Sequence, residues 1–173
     1  GRGNLMVKAA EHFLAARHII GGVSMTLAKE IPSEAGMGGG SSDAAAVLRG
    51  LSALYETGDT PETLAALGAA LGADIPFCVL AGAARCEGIG EKLTPLAPWP
   101  GLPLLIVRPQ VSVSTAKAYA AIDARGSRPE NTTALCIKAL ETRDKNLLLS
   151  SLSNDFESAL FPTHPILRSE ERR

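Results

Sequence analysis

Residues 31–46 read Ile31-Pro32-Ser33-Glu34-Ala35-Gly36-Met37-Gly38-Gly39-Gly40-Ser41-Ser42-Asp43-Ala44-Ala45-Ala46. Four glycines fall within five positions, and a run of helix formers follows. Glycine loses more conformational freedom on ordering than any other residue, so such a cluster is costly unless the backbone must turn sharply or expose its N–H groups. Ser41, Ser42 or Asp43 can cap the helix expected to start there. The first turn of a helix presents unpaired N–H groups and the positive end of the dipole. A glycine loop feeding a helix N-terminus is therefore an anion cradle, and phosphate is the anion it suits.

Two better-known phosphate loops do not fit. The G-x-x-x-x-G-K-[ST] pattern needs a lysine after its last glycine, and Ser41 follows Gly40. The dinucleotide pattern G-x-G-x-x-G is met by Gly36 and Gly38, but Ser41 stands where its third glycine belongs. Glu56, Asp59 and Glu62 are only loosely placed for the acidic residue that pattern expects further on. A purely structural turn is the remaining plain alternative.

The rest of the composition restricts the function classes. A net charge of −1 argues against a general nucleic-acid binder, which is usually basic. No apolar run is long enough for a membrane span, and no basic-then-apolar leader opens the chain. Cys78, Cys86 and Cys136 are scattered, without a C-x-x-C pair, which predicts buried free thiols in a reducing, cytoplasmic setting. His12, His18 and His164 have no ligand spacing and read as surface or structural residues.

Periodicity predicts the elements. Leu5, Ala9, Phe13 and Ala16 mark an amphipathic helix over 5–16, broken by Gly21-Gly22. Residues 23–29 alternate as a half-buried strand does. Residues 42–55 read as a helix with Val47, Leu48, Leu51, Leu54 and Tyr55 facing the core. Thr60-Pro61-Glu62 is a strong helix start, and that helix is expected to run to Leu71 and stop at Gly72. Residues 73–80 are an apolar segment with Asp74 near its start. Residues 82–96 read as strand, turn, strand, with Gly88 and Gly90 allowing the turn. Pro95, Pro98, Pro100 and Pro103 mark a connector, dividing the chain into domains over 1–100 and 101–173. Beyond it, 104–107 reads as a buried strand, and 114–122, 134–140 and 155–160 as helices.

Four segments together resemble the GHMP small-molecule kinases. Residues 29–45 resemble the family's second motif. Leu71-Gly72-Ala73-Asp74-Ile75-Pro76-Phe77 resembles a G-A-D-[VI]-P-F segment, Gly88-Ile89-Gly90-Glu91 a G-x-G-E turn, and Asn154-Asp155-Phe156-Glu157 an N-D-[LF]-E segment. The resemblance runs from about Asn4 to Ile166. It is narrowest to the branch whose acceptor is the 2-hydroxyl of 4-diphosphocytidyl-2-C-methylerythritol, in the non-mevalonate route to isoprenoids. The Gly-Gly-Gly-Ser-Ser-Asp form of the loop and the Gly-Ala-Asp-Ile-Pro segment speak against the homoserine and mevalonate branches.

The resemblance implies an α+β fold: a nucleotide-binding domain like domain 2 of ribosomal protein S5, with a mixed sheet and helices on one side, and part of a C-terminal α/β-sandwich domain. It implies ATP and Mg2+ as cofactors. Pro32, Ser33, Glu34, Ala35, Gly36, Met37, Gly38, Gly39, Gly40, Ser41 and Ser42 would wrap the ATP phosphates. Asp74 would accept or orient the proton of the attacking hydroxyl, and Ser42 would help hold the magnesium ion. Taken alone, Asp74 reads as a turn residue, since aspartate is common in turns. Lys29 either faces the nucleotide or is a solvated strand-end lysine. The partner is a small molecule, with neither nucleic acid nor membrane expected. Two further motifs of the family, a P-A-K-[IL]-N-L strand and an S-G-S-G loop, do not occur in this sequence. The expectation is a piece of a longer enzyme with little kinase activity by itself; a non-catalytic nucleotide-binding module is the alternative.

Overall fold

The computed structural model describes residues 3–31, 36–107, 109, 111, 113–124 and 131–171. The chain is α+β and divides into two compact units, Gly1–Leu96 and Ala97–Arg173.

In the first unit, helix α1 spans Leu5–Ala16 and is capped by Asn4, whose side chain accepts the Met6 N–H at 2.9 Å. Its apolar stripe buries Ala9, Ala10 and Phe13. The helix ends before the Gly21-Gly22 pair expected to break it. His18 takes a left-handed conformation (φ 52°), and the His18 and Ile19 N–H groups return to the carbonyls of Ala15 and Leu14. This double return closes the last turn without glycine, and histidine is among the side chains that tolerate that conformation.

Helix α2, Gly39–Leu54, begins three residues earlier than its apolar pattern suggests. It buries Ala44, Ala45, Val47, Leu48 and Leu51. Leu54, expected in the core, is exposed; it edges an open groove of about 390 Å³ shared with Met6, Val23, Met25 and Leu27. Helix α3, Pro61–Ala69, starts as expected, with Thr60 Oγ1 accepting the Thr63 N–H at 3.2 Å. It stops two residues short of Leu71, and Gly72 closes a turn by bonding back to the Gly68 carbonyl. Helix α4, Ile75–Leu80, follows, with Ile75, Pro76 and Val79 buried. Phe13, Leu48 and Ile75, from α1, α2 and α4, are the large fully buried apolar residues, and they mark where the helices share one core.

Strands β1, Ala83–Glu87, and β2, Lys92–Leu96, form the expected antiparallel hairpin, with Glu87 opposite Lys92 and residues 88–91 as the turn. This two-stranded ladder is the only sheet among the described residues, where a larger mixed sheet was expected. Residues 23–29 keep the alternation only at their start, where Val23 and Met25 pack on the core, while Leu27 is exposed. They form no ladder, because no described strand lies beside them to take their backbone hydrogen bonds.

In the second unit, α5 (Thr115–Asp123), α6 (Thr133–Thr142), α7 (Lys145–Ser151), α8 (Asp155–Leu160) and α9 (Pro165–Glu171) follow in order. Tyr119 on α5 meets Phe156 on α8 edge-to-face, with ring centroids 5.1 Å apart. Asp144 and Asn154 cap α7 and α8 through the N–H groups of Leu147 and Phe156. Residues 104–107 are not the buried strand expected: Leu104 and Leu105 are 85% and 89% exposed, with no ladder partner among the described residues.

Candidate active site

The glycine loop turns into α2 through two left-handed glycines, Gly36 (φ 69°) and Gly38 (φ 63°), a conformation that side-chain-bearing residues seldom adopt. Gly38 occupies the cap position, not Ser41, Ser42 or Asp43. Because glycine can hold the left-handed entry, the helix starts within the glycines and draws the two serines and Asp43 into its first turns. The Ser42 N–H is bonded to the Gly38 carbonyl at 2.9 Å. The N–H groups of Gly39, Gly40 and Ser41 precede it, where a helix leaves donors without intrahelical partners. Ser42 is exposed and Ser41 half-buried; Met37 is 37% exposed. Pro32, Ser33, Glu34 and Ala35 lie outside the described residues.

Lys29 is neither directed into a free cradle nor simply solvated. Its ammonium forms an ion pair with the Asp43 carboxylate, tying the approach to the loop onto the helix that leaves it. Gly39 sits inside this clasp. A Cβ there would lie 2.9 Å from Ile31 Cγ2 and 3.1 Å from Lys29 Nζ, so a side chain would force the clasp apart. The opposite charges flanking the loop were the sequence signal for this pairing.

Asp74 stands at the head of α4, exposed, and its carboxylate caps nothing on its own helix. Its position follows from the packing behind it. Ile75 is fully buried against α3, where a Cβ on Gly68 would come within 2.5 Å of Ile75 Cγ2. Arg49 on α2 donates to the Val79 carbonyl on α4 at 3.4 Å. The glycine loop and Asp74 are thus carried by two helices of the same core.

The 88–91 turn abuts Asp74, which sequence reasoning missed. A Cβ on Gly90 (φ 117°) would lie 3.8 Å from Asp74 Oδ1 and from Ala73. The turn holds itself: Glu91 Oε2 accepts the Ile89 N–H at 2.8 Å. Hydrogen bonds from its own N–H and from that of Ile89 keep the Glu91 carboxyl below the usual carboxylate range. The space a Cβ on Gly88 (φ 74°) would occupy is already filled by the Glu91 carboxylate, 2.5 Å away. One helical turn after Asp74, the half-buried Cys78 thiol is pushed up, first by burial and then by the Asp74 charge.

Cys78, Cys86 and Cys136 are free thiols. The expectation that all three are buried fails at Cys86, which is exposed on β1, where the hairpin leaves its face open. Among the described residues no three His, Cys, Asp or Glu side chains converge as a metal cluster. No described helix is long and apolar enough to cross a membrane.

Residues 4–82 match the family model for the GHMP kinases N terminal domain. The chain is 38% identical over 165 residues to a protein named 4-diphosphocytidyl-2-C-methyl-D-erythritol kinase from Clostridium novyi, covering 95% of this chain and 59% of that protein. It is 43% identical over 162 residues to one of the same name from Lachnoclostridium phytofermentans, covering 94% and 56%. A crystal structure of 4-(cytidine 5'-diphospho)-2C-methyl-D-erythritol kinase superposes with a TM-score of 0.74 at 37% identity, over 98% of this chain and 60% of that one. The chain therefore spans somewhat under three-fifths of the length of these curated relatives.

Proposed function

We propose that the chain belongs to the GHMP kinase family, whose N terminal domain model residues 4–82 match, and that the protein carrying it phosphorylates 4-diphosphocytidyl-2-C-methyl-D-erythritol on its 2-hydroxyl with ATP. The observation that carries this reading is the glycine loop closing onto the first turn of α2, in a chain similar along nearly its whole length to proteins bearing that name.

The chemistry follows from the two helices. Phosphoryl transfer asks the protein mainly for positioning and charge stabilisation. The N–H groups of Gly39, Gly40 and Ser41 point out of a fixed helix end. They need no reorganisation as charge develops on the transferred group. Residues 36–42 form the described part of the cradle for the triphosphate, and the absence of a side chain on Gly39 leaves room for the Lys29–Asp43 clasp. Asp74, exposed at the head of α4, receives or orients the hydroxyl proton. A bond forms between the acceptor oxygen and the γ-phosphorus, the bond from that phosphorus to the β,γ-bridging oxygen breaks, and ADP leaves. The Ser42 hydroxyl suits a magnesium ion held chiefly by phosphate oxygens, since that ion commonly takes only one or two protein ligands beside them. When bound, the ion neutralises phosphate charge.

The test is ADP release by the full-length gene product with ATP and the cytidyl acceptor. Acceptor-dependent turnover, abolished in Asp74→Ala with ATP binding retained, is the expected result. Nucleotide binding without turnover, indifferent to that substitution, would replace the reading with a nucleotide-binding module.

A further inference from the structure

We propose that the turn 88–91 is a wall of the acceptor site at Asp74, and that Glu91 is a positioning residue that holds it there. The proposal rests on the reading of Asp74 given above and adds to it a second element and a specificity role. Three observations meet at this turn. Gly90 lies against Asp74 so closely that even a methyl group on it would be in van der Waals contact with Asp74 Oδ1. Gly88 and Gly90 both have positive φ, so the path is open to glycine and strained for other residues. The Glu91 carboxylate is spent inside its own turn, on the Ile89 N–H, in the volume a side chain at 88 would need.

A carboxylate on a surface hairpin is ordinarily free to solvent. Here it fastens a tight loop that lies against Ala73 and against the Asp74 carboxylate, placed to act on a hydroxyl. With no side chain at 90, the turn stops short of covering the exposed Asp74 carboxylate, which stays open to a small, hydroxylated acceptor. With Glu91 in place, the backbone of 88–90 is held at the distance that sets how deep the acceptor sits. Ile89, at the tip and 83% exposed, adds an apolar edge to the same wall. The turn faces the hydroxyl-bearing end of the acceptor and makes no demand on the triphosphate. Its loss should therefore separate acceptor use from ATP use.

The experiment compares Glu91→Ala, Glu91→Gln and Gly90→Ala with the unmodified full-length gene product. Measured are ATP affinity, melting temperature, and kcat and KM for each substrate. Glu91→Ala should lower kcat/KM for the acceptor about tenfold to a hundredfold, as misplacement by an ångström does, while ATP affinity stays unchanged. Glu91→Gln, which keeps an oxygen acceptor for the Ile89 N–H, should recover most of that loss. Gly90→Ala should raise the acceptor KM, and if it unfolds the hairpin the Glu91 pair still decides the matter. Equal losses for both substrates, or a lower melting temperature with unchanged acceptor kinetics, would overturn the proposal. Absence of acceptor-dependent turnover in the unmodified protein would instead sink the kinase reading itself.

Discussion

At the scale of the residue, Cys78 reports on Asp74. They stand one helical turn apart, and the Asp74 charge adds to burial in pushing the Cys78 thiol up, while Arg49 opposes it. Removing the charge should lower the thiol's pKa, since a neighbouring anion disfavours the thiolate. In a Cys86→Ser, Cys136→Ser background, Asp74→Asn should bring forward in pH the reaction of Cys78 with a disulfide reagent. An unchanged pH profile would mean that the Asp74 charge is not felt at Cys78. The glycines divide in the same local terms. Gly36 and Gly38 are required by backbone conformation, whereas Gly39 and Gly68 are required by what lies against them.

At the scale of the element, the meeting of α3 and α4 is decided at Gly68. Alanine is the better helix former by about 1 kcal/mol. Against that, its Cβ would stand 2.5 Å from Ile75 Cγ2, a β-branched methyl on a fully buried side chain that has nowhere to turn. Overpacking of this kind costs about 1–3 kcal/mol, so packing should win. Gly68→Ala is expected to lower the denaturant midpoint; a raised midpoint would show that Ile75 can yield. The helix limits make a related point. The sequence placed α1, α3 and α8 well because Asn4, Thr60 and Asn154 are side-chain caps with a recognisable chemistry. It misplaced the start of α2 because a left-handed glycine cap leaves no side chain to read. The end of α1 falls at Ala16 as expected, but the device that closes it, a left-handed His18 ahead of the Gly21-Gly22 pair, is permitted by the sequence and not signalled by it.

At the scale of the whole molecule, the core of the first unit is tied across its surface by a half-buried ion pair. Arg17, at the end of α1, donates its Nε to both Asp59 oxygens, at 3.0 and 3.1 Å, and Thr57 donates to the same carboxylate. The Arg17 hydrogen bonds hold the Asp59 carboxyl below the usual carboxylate range. A carboxyl depressed on folding contributes stability that is present above its unfolded pKa and lost as pH falls through the folded value. Unfolding midpoints should therefore hold above about pH 4 and drop below it. Asp59→Asn should lower the unfolding free energy at pH 6, by about 1–2 kcal/mol for charge-assisted bonds lost from a half-buried site, and flatten the acid limb. An acid limb as steep in the variant would assign the acid loss to other carboxylates.

By itself the sequence determined what depends on neighbours along the chain: the helices with polar caps, the hairpin over 82–96, the alternation at 23–29, the glycine loop and its family resemblance. Those features are local, because periodicity and capping act within a few residues. Only the tertiary structure decided which groups meet. It paired Lys29 with Asp43 and Arg17 with Asp59, set Gly39 against Lys29 and Ile31 and brought Gly90 against Asp74. It also left 23–29 and 104–107 without ladders among the described residues, although both patterns read as strands. A strand needs a neighbour to satisfy its backbone, and a pocket needs side chains from separate segments. Both are facts about residues distant in sequence that packing alone brings together.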